Sequence, residues 1–213
     1  MEPAGLFIVF EGTEGAGKTT QLARVADRLK ELGHDIVVTR EPGGTPVAES
    51  IRELLLTDHD EPISPNTEMM LMCASRDQHL ITLIRPALRQ GKTVLCSRFV
   101  DTTFAYQVTG RGASEKLFYA LTIDVVQDTR PDLTVFIDID PETSAQRQRA
   151  RGVDPDRIEK SSPEFFERVN AMLRRLATMP NHVTIDGGGE LDQVTDEIVK
   201  HILNQQTTKQ GSK

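Results

Sequence analysis

Near the start of the chain an apolar run, Leu6–Phe10, leads into EGTEGAGKTT and then into helical periodicity. Within that stretch Gly12, Gly17, Lys18 and Thr19 match G-x-x-x-x-G-K-[ST], in the strand–loop–helix context that gives the pattern its meaning. Glycines let backbone N–H groups turn inward around phosphate oxygens, and the start of a helix adds the positive end of its dipole. The pattern predicts an anion cradle built from Gly12, Thr13, Gly15, Ala16, Gly17, Lys18, Thr19 and Thr20. Lys18 is placed to reach the β- and γ-phosphates of a bound nucleoside triphosphate, and Thr19 to offer its hydroxyl to Mg2+.

The rest of the chain supports the same architecture. Apolar runs bounded by turn signals alternate with segments of helical period, the pattern of a parallel sheet wrapped by helices. Strands are expected at Leu6–Phe10, Asp35–Thr39, Thr93–Cys96, Leu133–Asp138 and His182–Ile185. Helices are expected at Lys18–Leu32, Pro46–Leu56, Thr67–Gln90, Glu115–Thr129, Glu142–Arg149, Pro163–Thr178 and Leu191–Leu203. The fold class is therefore α/β, a P-loop NTPase-like three-layer sandwich with a five-stranded parallel sheet flanked by helices. One domain is expected over residues 1–205, with a breakable segment at about 147–160 and a polar, flexible tail at 206–213.

Composition removes several function classes. A net charge of -7 with no basic block argues against duplex nucleic acid as a partner. Cys73 and Cys96 lie in apolar runs and read as buried reduced thiols, and the five histidines share no ligand spacing. No stretch approaches the ~18–20 apolar residues that span a bilayer, and the N-terminus lacks a signal pattern, so a cytoplasmic location is expected.

A GTPase switch needs N-K-x-D, which is absent; Asp186–Gly189 matches D-x-x-G by letters but lies too near the C-terminus. An ATPase motor needs a strand ending in Asp-Glu, whereas TVFIDID supplies Asp138 followed by Ile139. A second anion site is more telling. TREPGGTP places Arg40 beyond the second strand, and TVLCSRFVDTTFAYQ places Arg98 beyond the third. Open α/β sheets bind ligands at that edge, and guanidinium forks match phosphates there.

EGTEGAGKTT, TREPGGTPVAE, SRFVDTTFAYQ and RARGVDPDRIEK, in this order and spacing, resemble the bacterial thymidylate kinases, from about Leu6 to Leu203. That family transfers the γ-phosphate of ATP to dTMP, giving dTDP, and the resemblance favours a homodimer, for which the helix Thr67–Gln90 is a candidate surface. It implies that Glu14 accepts from the 3′-hydroxyl of dTMP and that Arg40 and Arg98 hold its phosphate, with Pro42 shaping the turn. It also implies that Arg76 donates to the thymine edge near Thr103 and Gln107, and that Tyr106 packs where a 2′-hydroxyl would project. The family places a catalytic arginine either in the P-loop or in the lid. With none among Thr13–Ala16, the resemblance assigns it to the lid as Arg151, and Arg147 and Arg149 precede it.

Two positions depart from the family pattern. Ser97 stands where the family carries Asp near Mg2+, and Met72 or Cys73 stands where many relatives stack an aromatic on thymine. Phe99 and Phe104 are alternative stacking residues or core. The first departure leaves open a nucleotide-binding regulator with weakened catalysis. The second leaves open a kinase of another pyrimidine monophosphate. A plain ATPase is the remaining alternative.

Overall fold

The computed structural model describes residues 5–150, 152 and 154–211. In chain order the elements are β1 (Phe7–Gly12), α1 (Lys18–Glu31), β2 (Ile36–Arg40), α2 (Pro46–Leu56), α3 (Pro65–His79) and α4 (Arg85–Arg89). There follow β3 (Thr93–Ser97), α5 (Val100–Thr103), α6 (Glu115–Val126), β4 (Leu133–Asp138), α7 (Pro141–Ala150), α8 (Pro163–Leu176), β5 (His182–Asp186) and α9 (Leu191–Gly211). The five strands form one sheet in the order β2-β3-β1-β4-β5, and every neighbouring pair is parallel. Each expected strand is present.

Both faces of the sheet are covered, which explains why its central strands read as unbroken apolar runs rather than alternating ones. Ile8, Phe10, Val135 and Ile137 pack on Leu22, Val25 and Leu29 of α1 and on Ile198 of α9. Phe7, Val9, Val94 and Cys96 face the other way, against Leu80, Ile84 and Phe99. The chain reverses its direction of travel across the sheet next to β1. This opens a crevice at the carboxyl ends of β1 and β3.

Three differences from the sequence reading have local causes. The helix expected over Thr67–Gln90 is divided by a π-helical turn, Leu80–Ile84, because Pro86 has no N–H to continue the regular ladder. A helix not expected at all, α5, runs on into a π-helical stretch, Phe104–Gly110. The helix expected to end at Leu203 runs on as α9 to Gly211 because no breaker intervenes, and Lys209 Nζ donates to Gly5 O at 3.0 Å and Asp132 Oδ2 at 2.8 Å. Among the described residues no helix is long and apolar enough to cross a membrane.

Candidate active site

The loop between β1 and α1 is shaped by backbone conformations that side chains disfavour. Gly12 has φ 149°, and a Cβ there would lie 2.3 Å from Ile137 O on β4, so only glycine lets the loop leave the sheet this closely. Gly17, at φ 87°, caps α1. Lys18 folds back over the loop and donates to Gly12 O at 2.9 Å and Thr13 O at 2.7 Å. Its ammonium is thereby held over the cradle rather than extended into solvent.

A cavity of about 450 Å³ runs from this loop across the sheet edge. Gly15, Gly17, Lys18, Thr19 and Thr20 line one end. Arg40, Pro42, Ser97, Arg98 and Tyr106 line its middle, where the Tyr106 hydroxyl meets Glu14, and Met72, Arg76, Thr103 and Gln107 line the part around Arg76. These fourteen positions singled out in the sequence, together with Glu14 and Arg147, thus share one wall system. Gly12, Thr13 and Ala16 belong to the cradle's buried frame, where the Thr13 hydroxyl has no hydrogen-bond partner among the described residues.

At the centre, Arg98 has φ 68°, an unusual backbone for a non-glycine residue. Its guanidinium pairs with Glu14 and lies over the Tyr106 ring at 5.3 Å, while the Tyr106 hydroxyl donates to Glu14 Oε1 at 3.0 Å. Burial pushes the Glu14 carboxyl up, but Arg98, Lys18 and the Tyr106 hydrogen bond outweigh it and hold its pKa down to about 2. Burial alone would lower Arg98, yet Glu14 more than reverses this and keeps it above its ordinary value. The carboxylate from the P-loop therefore positions the cation that faces the cavity.

The far end is built differently. Arg76 is buried: its Nε donates to Glu41 Oε2 at 2.7 Å, and its Nη2 donates to Phe99 O at 2.9 Å and Thr103 Oγ1 at 2.7 Å. Its Nη1 has no partner among the described residues, and neither does the buried Oε1 of Gln107. Unpartnered buried polar atoms are costly, about 1–3 kcal/mol each, unless a ligand completes them. The Phe99 ring packs edge-on to Phe7 and under Arg76 while reaching the cavity, whereas the partly buried Phe104 packs on Phe118 and on the exposed Tyr119. Met72 lines the cavity and Cys73 is buried in α3.

The comparisons with known proteins show the family. The family model named Thymidylate kinase matches residues 10–198. The chain belongs to the thymidylate kinase family. It is 48% identical over 204 residues to the thymidylate kinase of Pseudomonas fluorescens Pf0-1, covering 93% of this chain and 97% of that one. It is 50% identical over 196 residues to that of Ectopseudomonas mendocina ymp, covering 91% and 93%. The crystal structure of thymidylate kinase from Ehrlichia chaffeensis superposes with a TM-score of 0.73 at 34% identity, covering 94% of this chain and 99% of that one. The fold is thus that of a P-loop phosphotransferase, a nucleoside monophosphate kinase.

Set against the thymidylate kinase pattern, one expected residue, Arg151, lies outside the described residues. Arg147 lines the cavity above Gly17 and donates to Gly187 O at 3.1 Å, while Arg149 is exposed and turns back to Ala145 O of its own helix. Arg40 is half exposed and paired with Glu49 at 2.8 Å.

Sequence reasoning missed several contributors. Arg52 lines the cavity beside Arg40 and donates to Pro42 O at 3.0 Å; burial and then Arg40 lower its pKa. The helical spacing of Arg52 behind the PGG turn was the available signal. Glu11 is buried and accepts from Phe99 N at 2.8 Å, Thr102 N at 3.3 Å and Thr102 Oγ1 at 2.5 Å. Glu41 anchors Arg76 and also meets His79 Nδ1 at 3.2 Å. No local signal identifies these two carboxylates, because their partners come from other elements.

Proposed function

We propose that this chain phosphorylates dTMP to dTDP with ATP as donor. The observation that carries the reading is the buried, unpartnered Arg76 Nη1 at the end of a cavity whose opposite end is the P-loop and whose middle carries Arg98. A ligand with a triphosphate at one end, a phosphate acceptor in the middle and a base carbonyl at the other matches that order of groups. Tyr106, buried below Arg98, supplies an apolar face for the acceptor's sugar.

The chemistry requires little from the protein beyond position and charge. An oxygen of the dTMP phosphate bonds to the γ-phosphorus of ATP as the bond to the β,γ-bridging oxygen breaks, and ADP leaves. A phosphomonoester, with a second pKa of about 6, is already ionised at neutral pH, so no side chain has to remove a proton. Lys18 and the P-loop amides hold the donor, Arg98 and Arg40 hold the acceptor, and Arg147 and Arg151 add positive charge from the lid. Closure of the segment near 147–160 would keep water from competing for the phosphoryl group.

Mg2+ fits the donor set. Among the described residues no cluster of three acidic, histidine or cysteine side chains could cage a metal, while the Thr19 and Ser97 side chains line the cavity. Mg2+ commonly keeps several waters and takes much of its coordination from substrate phosphates. Thr19 would hold it directly and Ser97 through a water, and the ion would neutralise charge on the transferring phosphates. Ser97→Asp is expected to lower the Mg2+ concentration for half-maximal rate by about tenfold, read from a Mg2+ titration at saturating ATP and dTMP. An unchanged midpoint would overturn this assignment.

Met70 of α3 and Ile81 just after it, with Tyr119 and Ile123 of the adjoining α6, are exposed large apolar side chains. Such residues support a homodimer through this face.

The testing experiment is ADP release from ATP–Mg2+ with dTMP, dUMP, UMP, dCMP or AMP, beside a control without acceptor. Stimulation chiefly by dTMP is expected. ADP formation that ignores every acceptor would make the chain an ATPase. Nucleotide binding without turnover would make it a regulator.

A further inference from the structure

Glu68 of α3 is 1% exposed yet belongs to no part of the phosphate chemistry. Its Oε1 accepts from Gln107 Nε2 at 2.9 Å, and its Oε2 accepts from Arg157 Nη2 at 2.5 Å. Arg111 Nε lies 3.7 Å from the same Oε1. Two guanidiniums thus lie beside a carboxylate inside the protein, where an unpaired one would be costly. The consequence falls on Gln107. A carboxylate offers only acceptors, so the Gln107 amide must turn its NH2 toward Glu68 and its oxygen away. That oxygen is the buried, unpartnered Oε1, on a residue that lines the cavity end where Arg76 leaves its Nη1 unpartnered.

The two unpartnered atoms are one acceptor and one donor. Thymine and uracil present a C4 carbonyl, which accepts, beside N3–H, which donates. Cytosine presents the reverse pair, an amino donor beside an N3 acceptor. We propose that Glu68 is a positioning residue for base selection: by fixing the Gln107 amide it makes the site accept 4-oxo-3-NH pyrimidines and reject 4-amino pyrimidines. The inference rests on the monophosphate kinase reading above and adds to it a residue that touches neither substrate. Arg157, which also donates from Nε to Leu55 O at 2.8 Å, ties the same carboxylate to the segment that follows the lid arginines.

The test measures kcat/KM for dTMP, dUMP and dCMP with the full chain, for wild type, Glu68→Gln and the double variant Glu68→Gln/Arg157→Gln. A glutamine at 68 can offer either amide end, which frees Gln107 to turn over. Wild type is expected to favour dTMP over dCMP by about 10³-fold or more, since sites built for a hydrogen-bond pattern reject its mismatch strongly. In Glu68→Gln the dTMP:dCMP ratio is expected to fall about tenfold, one lost mismatch. It does not reach unity, because Arg76 still faces the amino group. The dTMP:dUMP ratio stays unchanged, since those bases share the same edge. Ratios within one preparation do not depend on the folded fraction. The double variant removes both charges together and gives the same readout should the single variant leave Arg157 unpaired and fail to fold.

An unchanged dTMP:dCMP ratio in either folded variant overturns the role of Glu68. So does an equal fall in both ratios, which would be general loosening of the pocket. A wild-type protein inactive on dTMP overturns the functional reading and this inference with it. Activity on dTMP with unmoved ratios overturns only the inference.

Discussion

Arg98→Met is expected to lower kcat/KM for dTMP by about 10³-fold, while the KM for ATP changes by less than about threefold. Arg98 is the cation that three different elements converge to hold. Its left-handed backbone at the end of β3 turns the side chain over Tyr106, and Glu14 of the P-loop pairs with it. Methionine keeps much of the stem's contact with the ring but removes the fork that matches a phosphate. It also leaves Glu14 partly buried beside no partner except Lys18 and the Tyr106 hydroxyl. Steady-state kinetics with each substrate varied in turn check the split, and an equal loss for both substrates would point to a damaged fold.

The same variant carries a signature in acid. With its pKa held at about 2, Glu14 contributes stability that is complete above the ordinary carboxylate value of 4.5 and is lost as pH falls through about 2. Without Arg98 the largest influence that lowers the carboxyl is gone and burial is opposed only by Lys18 and the Tyr106 hydroxyl, so the variant is penalised most at neutral pH. The stability gap between wild type and Arg98→Met is therefore expected to narrow as pH falls from about 4.5 toward 2. Urea unfolding at several pH values measures it, and a gap independent of pH would show that Glu14 is not held by Arg98.

Lys18→Met is expected to reduce kcat by about 10²–10³-fold, the range seen when one preorganised donor is removed from a developing charge. Lys18 is 7% exposed and is fixed by Gly12 O and Thr13 O, so its ammonium is in place before nucleotide arrives. Preorganisation of this kind avoids rearrangement during transfer. The loss should appear in kcat with dTMP saturating, and a fall of under tenfold would remove Lys18 from the catalytic set. Because Lys18 also ties the loop to itself, thermal unfolding of the variant in the absence of nucleotide separates a collapsed cradle from lost charge.

How far the sequence foretold the site depends on where each residue finds its partners. The P-loop was legible because its glycines, lysine and threonine act within one loop and the next helix turn, so spacing encodes geometry. Arg40 and Arg98 were legible because each follows directly on a strand, and a parallel sheet brings all its carboxyl ends to one edge. The helix starting at Val100 was not. It opens at Phe99 with no side-chain cap of its own, and the capping acceptor is Glu11, 88 residues earlier, bonding Phe99 N and Thr102 N from β1. No window along the sequence contains both halves of that cap.

The carboxylates follow the same rule. Glu41 reaches Arg76 across 35 residues, and Glu68 reaches Gln107 across 39 and Arg157 across 89. The residues that face the cavity were visible as residue types in motifs, and the family resemblance named them. By itself the sequence determined the parallel α/β fold, the phosphate cradle and the two arginines at the strand ends, because these depend on local spacing and strand direction. The tertiary structure alone decided which acid holds which cation, and with it which buried donors and acceptors remain unpartnered. Those pairings form only when distant elements are packed together and water is excluded from between them.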